Sequence, residues 1–214
     1  MRLSLLLTAA YLLGSIPFGV LVSRARGVDI RRLGSGNIGF SNVLRALGPR
    51  PAAIVLLADV AKGALPVLAG RSLLVRWHLA DPDLWVLALA LAPIAGHSFS
   101  VFLGFRGGRA VATTLGVLLA VAWPAALLGL GVWVLLVATT RYISVGSMAG
   151  AAVVPIYLAW AGVRWEWLAF WCAIAALVIL RHVPNLQRLL AGTEAKIGER
   201  VRADDDSGPG IPRA

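Results

Sequence analysis

The chain has 214 residues, of which 59% are hydrophobic and only 14% charged, and its mean hydropathy is +0.82. Soluble domains carry roughly a quarter charged residues, so this composition excludes a soluble or disordered chain and predicts an integral membrane protein. The formal net charge of +10 is read as basic residues collecting in cytoplasmic loops rather than as a nucleic-acid platform, and the single cysteine, Cys172, excludes a disulfide framework or a cysteine metal site.

Residues 3 to 23 are long and apolar enough for a first span, with Gly14, Pro17 and Gly19 predicting a kink. Apolar chain continues past them without a convincing cleavage site, so the segment reads as retained rather than as a signal peptide. Arg24 to Arg50 follows, with six arginines against Asp29. Within it lies the polar stretch from Leu33 to Arg45, in which Gly34, Gly36 and Gly39 alternate with Ser35, Asn37, Ser41 and Asn42. Glycines that admit backbone N–H groups close to a ligand, beside short hydrogen-bonding side chains, make either an anion nest or a plain interhelical turn. No GK[ST] follows, so it is not a Walker A loop.

A second span is expected from Pro51 to Ala69, carrying Asp59 and Lys62 three residues apart, either as a structural ion pair or as part of a polar cavity. The loop from Arg71 to Asp83 contains His78 and Asp83 in an H-x-x-x-x-D arrangement. Asp81-Pro82 reads there as an ordinary turn, and the loop falls on the side opposite Leu33–Arg45, so a catalytic dyad is rejected. The third span, from Leu84 to about Leu103, delivers His97 to a second glycine loop. Gly104, Gly107 and Gly108 are flanked there by Arg106 and Arg109, a composition suited to phosphate. His97 is a base, a phosphate donor or a satisfied interfacial histidine.

The apolar run from Ala110 to Thr140 is expected to split near Trp123-Pro124 into spans of 111–123 and 125–140. Arg141 then adds a phosphate-capable donor, while Ser144 and Ser147 are candidate helix caps. Spans of about 147–162 and 165–180 complete seven. Beyond them come His182, Asn185, Arg188 and Glu194, then a polar tail from 199 to 214 that reads as disordered. Fifteen of the twenty basic residues fall on one side of this arrangement, which places the N-terminus outside and the C-terminus in the cytoplasm. The expectation is therefore an all-α polytopic protein of seven transmembrane helices, with one membrane domain over residues 1–198. The polar stretches 34–45, 97–114 and 181–194 converge on one face. They suit an amphiphile with a phosphate head, handled by an enzyme or, alternatively, by a lipid transporter with polar residues running through the membrane centre.

Three segments carry a specific resemblance. Gly34-Ser-Gly-Asn-Ile-Gly-Phe-Ser-Asn42, Gly96-His-Ser-Phe-Ser-Val-Phe-Leu-Gly-Phe-Arg-Gly-Gly-Arg-Ala-Val-Ala-Thr113 and His182-Val-Pro-Asn-Leu-Gln-Arg-Leu-Leu-Ala-Gly-Thr-Glu194 resemble the signature motifs of the bacterial acyl-phosphate:glycerol-3-phosphate acyltransferase family. Asp59-Val-Ala-Lys-Gly63 and Arg141-Tyr-Ile-Ser-Val-Gly-Ser147 are similar to two further family stretches. The resemblance implies a multi-pass inner-membrane enzyme with its site facing the cytoplasm. It would move an acyl group from acyl phosphate to the 1-hydroxyl of sn-glycerol 3-phosphate, giving lysophosphatidic acid and phosphate. No cofactor, metal or partner protein is implied, the bilayer and the two substrates are the expected partners, and a monomer is the simplest expectation. By motif position, Ser35, Arg45, His97 and Arg109 are the implied catalytic residues. Gly34, Gly36, Asn37, Asn42, Lys62, Arg106, Gly107, Gly108, Arg141, Ser144, His182, Asn185, Arg188 and Glu194 are the implied substrate-binding set. Where the family usually reads Lys-Gly-Gly-Lys-Gly, this chain has Arg106-Gly-Gly-Arg-Ala110, which keeps the charge but changes its reach and makes the loop less open.

Overall fold

The computed structural model describes residues 1–199. Ten α-helices are formed among them. The first two, α1 (Arg2–Ser15) and α2 (Phe18–Arg24), are one apolar run bent by 40° at Ile16-Pro17. Proline has no N–H to continue the ladder, which breaks there, and the Ile16 carbonyl accepts instead from the Phe18 N–H (3.1 Å). A single turn over Ile30–Arg32 leads through the polar stretch to α3 (Phe40–Leu47), a short helix that buries Asn42, Val43 and Arg45. Gly48, at φ +86°, turns the chain into α4 (Pro49–Arg76), which begins with the proline that suits a first turn. Helix α5 (Pro82–Ser98) returns and is prolonged by a turn over Val101–Leu103. Then follow α6 (Val111–Val121), α7 (Trp123–Thr140), α8 (Ile143–Trp160) and α9 (Trp165–Arg181), with α10 (Val183–Leu190) bent by 50° from α9.

The seven-span expectation is corrected here. Among the described residues, four stretches are long and apolar enough to cross a bilayer: Pro49–Arg76, Pro82–Leu103, Trp123–Thr140 and Ile143–Trp160. The count rises to six if α1 with α2, and α9 with α10, are each one bent span. Helix α6 is not a span. Its 11 residues rise about 16 Å, against a hydrocarbon core of roughly 30 Å. It starts at Ala110, whose left-handed backbone (φ +59°) breaks any continuation from the preceding loop, and it stops at Ala122 before Pro124. Without a seventh span, the parity argument that assigned the two termini to opposite sides no longer holds. Residues 200–214, nearly all of the expected disordered tail, lie outside the described residues.

Helix α6 is instead packed against α4. A side chain at Gly63 of α4 would strike the Thr113 carbonyl of α6, and one at Gly116 of α6 would strike the Val60 carbonyl of α4. Small residues facing each other let two backbones touch, which is how helices gain contact where lipid offers no hydrophobic drive. The main core runs through Ala10, Val67, Leu89, Ile94, Val117 and Trp171, while Leu57, Leu65, Leu135, Ile156 and Leu180 face outward as a lipid-facing surface would. A separate apolar cluster of Val20, Ile30, Ile38, Val43 and Val55 fixes the 33–45 stretch onto α2 and α4.

Candidate active site

A single cavity of about 340 Å³ collects residues from all three polar stretches. At its polar end stand Asn37, Arg45, His97, Arg109, Ser144, His182, Asn185 and Glu194, every one a sequence-predicted site residue. At its other end the wall is apolar, built from Leu118, Leu130, Trp133, Ala151, Val154 and Trp171.

The polar end is held by a carboxylate. Glu194 accepts hydrogen bonds from Ser144 Oγ (2.8 Å) and Asn185 Nδ2 (2.6 Å) at Oε1, and from Arg188 Nε (2.8 Å) at Oε2. Burial raises its pKa, but these donors outweigh burial and leave it below the ordinary 4.5. The carboxylate also offsets Arg45 and Arg109. Burial lowers the pKa of both arginines, with Arg188 adding repulsion; Arg109 is brought down to about 10, still protonated at neutral pH. The Nε of Arg45 is buried without a hydrogen-bond partner among the described residues, as is Asn185 Oδ1. Buried polar atoms without partners are costly, and both belong to residues lining the cavity. His182 places Nδ1 2.7 Å from the Val178 carbonyl, which puts the proton on Nδ1 and leaves Nε2 as the ring's acceptor.

Among the other sequence-predicted residues, Asn42, Lys62 and Arg141 do not line this cavity and make their contacts within the protein. Asn42 donates to the Ile30 and Leu33 carbonyls (3.2 and 2.9 Å) and accepts from the Ser35 N–H, so its carboxamide closes the turn in which Gly34 and Gly36 take positive φ. Lys62 forms a buried ion pair with Asp59 (2.8 Å) and donates to the Ile16 carbonyl (2.8 Å) at the bend between α1 and α2. His97, on α5, sits 3.7 Å from the same Asp59 carboxylate. Arg141 donates to the Ile197 carbonyl (2.9 Å) and receives the Ile197 N–H, fastening the segment after Glu194. Arg106 points into a different, outer pocket. His78 and Asp83 are absent from the cavity, and Asp83 pairs with Arg164 at 3.3 Å.

The glycine loop is placed by α5 and α9. Gly107 and Gly108 donate their N–H groups to the Ser98 and His97 carbonyls (3.1 and 3.0 Å), so these N–H groups are committed within the protein. A side chain at Gly108 would run into the His97 ring, and one at Gly107 into the His97 carbonyl. Arg181 completes the arrangement. Its Nη2 reaches the carbonyls of Ser98 (2.6 Å), Gly107 (3.1 Å) and Gly108 (2.9 Å), its Nε also reaches Gly108, and the guanidinium lies 5.4 Å from the Phe99 ring centroid. Sequence reading missed this role, because an arginine at the end of an apolar helix reads as a topological charge. The one available signal was its place next to His182, at the start of a motif. Ala110, standing where the family has glycine, holds a left-handed backbone that costs an L-residue on the order of 1 kcal/mol. Asp59, Ser41 and Thr114 also line the cavity and were not among the predicted site residues.

With this geometry in hand, comparison with known proteins is decisive. Residues 4–192 match the family described as glycerol-3-phosphate acyltransferase. The chain belongs to that family. The acyltransferase is 48% identical over 202 residues to the glycerol-3-phosphate acyltransferase of a Synechococcus strain, covering 92% of this chain and 96% of that one. It is 49% identical over 192 residues to the enzyme of Geobacter sulfurreducens, covering 89% and 95%. The crystal structure of PlsY, an integral membrane glycerol 3-phosphate acyltransferase, in its glycerol 3-phosphate form matches with a TM-score of 0.85 at 38% identity, over 92% of this chain and 96% of that one. Its lysophosphatidic acid form matches with a TM-score of 0.81. The acyltransferase is thus a multi-pass enzyme of the bacterial inner membrane.

Glu194 gives the acyltransferase a pH signature. Its folded pKa lies below the ordinary carboxylate value, so its stabilisation is complete above pH 4.5 and is lost as pH falls through the folded pKa. Glu194→Gln should lower the thermal midpoint at neutral pH, each lost charge-assisted bond being worth about 1.5–3 kcal/mol. The variant should also lose less stability between neutral pH and pH 4 than the parent does. Thermal unfolding in detergent across that range checks both.

Proposed function

We propose that the polar end of the cavity holds the phosphate groups of acyl phosphate and glycerol 3-phosphate, while the apolar end takes the acyl chain. The reaction is transfer of the acyl group from acyl phosphate to the 1-hydroxyl of sn-glycerol 3-phosphate, yielding 1-acyl-glycerol 3-phosphate and inorganic phosphate. The observation that carries this reading is one cavity in which Arg45 and Arg109 stand at one end and a tryptophan-lined apolar wall at the other. An amphiphile with an anionic head matches that gradient, and the solved relative has been captured in glycerol 3-phosphate and lysophosphatidic acid forms.

The chemistry asks little acid or base work of the protein. The 1-hydroxyl oxygen bonds to the acyl carbonyl carbon, the bond from that carbon to the phosphate oxygen breaks, and the hydroxyl proton passes to a phosphate oxygen. Arg45 and Arg109, both largely shielded from water, stabilise charge growing on the departing phosphate and on the carbonyl oxygen. Ser144, Asn185 and Glu194 position the glycerol phosphate, and Asn185 Oδ1 is the unpartnered acceptor available to its hydroxyl groups. The site opens toward the cytoplasm in this reading. Its support is the charge pattern: Arg24, Arg26, Arg31, Arg32, Arg45, Arg50, Arg106, Arg109, Arg181 and Arg188 lie in or near the three polar stretches that supply the cavity's polar residues.

The test is purified protein in detergent with glycerol 3-phosphate and palmitoyl phosphate, following phosphate release and lysophosphatidate formation, with palmitoyl-CoA as the contrast donor. Turnover with palmitoyl phosphate and none with palmitoyl-CoA is expected. Equal rates with both donors would overturn the donor assignment.

A further inference from the structure

A second concavity lies on the outer side of the same two loops. Its volume is about 360 Å³, and its walls come from segments some seventy residues apart in the chain: Arg31, Arg32 and Gly36 on one side, Leu103, Arg106 and Gly107 on the other. Only one carboxylate, Asp29, faces the three arginines. It is spent on Arg31, accepting from Nε at 2.9 Å and from Nη2 at 2.7 Å. Arg32 and Arg106 make no side-chain hydrogen bond or ion pair among the described residues. Two uncompensated guanidinium groups in one cleft repel each other unless an anion joins them, and the planar fork of arginine fits phosphate oxygens in pairs. Beside the cleft, Phe102 and Phe105 are 58% and 61% exposed, as side chains at the lipid surface are.

We infer that Arg31, Arg32 and Arg106 form a second binding site for a phosphate monoester, separate from the catalytic cavity. None of the residues lining this outer cleft lines the cavity that holds Arg45 and Arg109. The monoester is either free glycerol 3-phosphate gathered near the mouth or the headgroup of an anionic lipid such as the product, whose chain would lie along Phe102 and Phe105.

The probe is inorganic phosphate, titrated calorimetrically onto the full chain in phosphatidylcholine nanodiscs. Arg32→Gln/Arg106→Gln should bind one phosphate fewer than the parent, while Arg45→Ala keeps that phosphate. Arg32→Lys/Arg106→Lys should retain the phosphate with weaker affinity, which separates lost recognition from a misfolded surface. A double glutamine variant that binds as many phosphates as the parent would overturn the site. Loss or retention in Arg45→Ala reports on the catalytic cavity alone, so the two readings fail separately. Nanodiscs containing phosphatidate distinguish the sources. If the headgroup occupies the site, phosphatidate displaces the arginine-dependent phosphate. If free glycerol 3-phosphate does, phosphatidate leaves it in place and glycerol 3-phosphate displaces the arginine-dependent phosphate instead.

Discussion

Arg109→Ala is expected to lower kcat/KM by about two to three orders of magnitude, the effect of removing one fixed donor from a site of developing negative charge. Arg109 lines the cavity beside Arg45 and opposite Glu194, and burial together with Arg188 brings its pKa to about 10. It is therefore cationic through neutral pH without help from a direct ion pair, which leaves its charge available to substrate. The sign of the pH dependence follows: the protonated form is the active one, so the parent's activity should decline on the alkaline side as pH approaches 10. Arg109→Lys should recover part of the rate and shift KM, because a point charge replaces a fork. Steady-state kinetics over pH 7 to about 10 check all three statements, and an alanine variant with unchanged kcat/KM would refute the role.

Arg181→Gln is expected to be the other severe substitution, acting through position rather than contact with substrate. One guanidinium holds the carbonyls of Ser98, Gly107 and Gly108. Glutamine is too short to span them and leaves part-buried acceptors unmatched, each costing about 1–3 kcal/mol. The loop between His97 and Arg109 would lose its register against α9, and a misplacement near 1 Å costs catalysis about a hundredfold. Because the loss is of positioning, kcat should fall more than KM rises, and Arg181→Lys should restore thermal stability further than it restores kcat. A variant with a lowered thermal midpoint but parental kcat would reduce Arg181 to a stability residue.

What could be read from the sequence follows from contrast with the apolar background. Arg45, His97, Arg109, His182, Asn185 and Glu194 stood out because polar groups in a chain of this composition need a reason, and all six line one cavity. What could not be read was how each polar group is used. Asn42, read as part of the substrate-binding set, also closes its own turn; Lys62, read as half of a structural ion pair or part of a polar cavity, also donates to a carbonyl 46 residues away. These roles depend on tertiary neighbours that no local pattern encodes. The span count failed for a related reason. Hydropathy through residues 110–140 is unbroken, while the shortness of α6 is set by the backbone at Ala110 and Ala122 and by the close fit of Gly63 and Gly116. Arg181 was hidden by a rule that assigns arginines at helix ends to topology.

In the proposed mechanism phosphate heads and acyl chain share one cavity, heads at Arg45 and Arg109, chain along α7 and α8. Ala151 is half-buried on the apolar wall, and phenylalanine there would fill space meant for the chain without reaching the polar end. Kinetics of Ala151→Phe with palmitoyl phosphate and with octanoyl phosphate report on this division of the cavity. The predicted result is a KM raised at least roughly tenfold for the long donor, a loss of about 1.4 kcal/mol of binding, with kcat/KM for the short donor near the parental value. Equal loss on both donors, or no change on either, would contradict it.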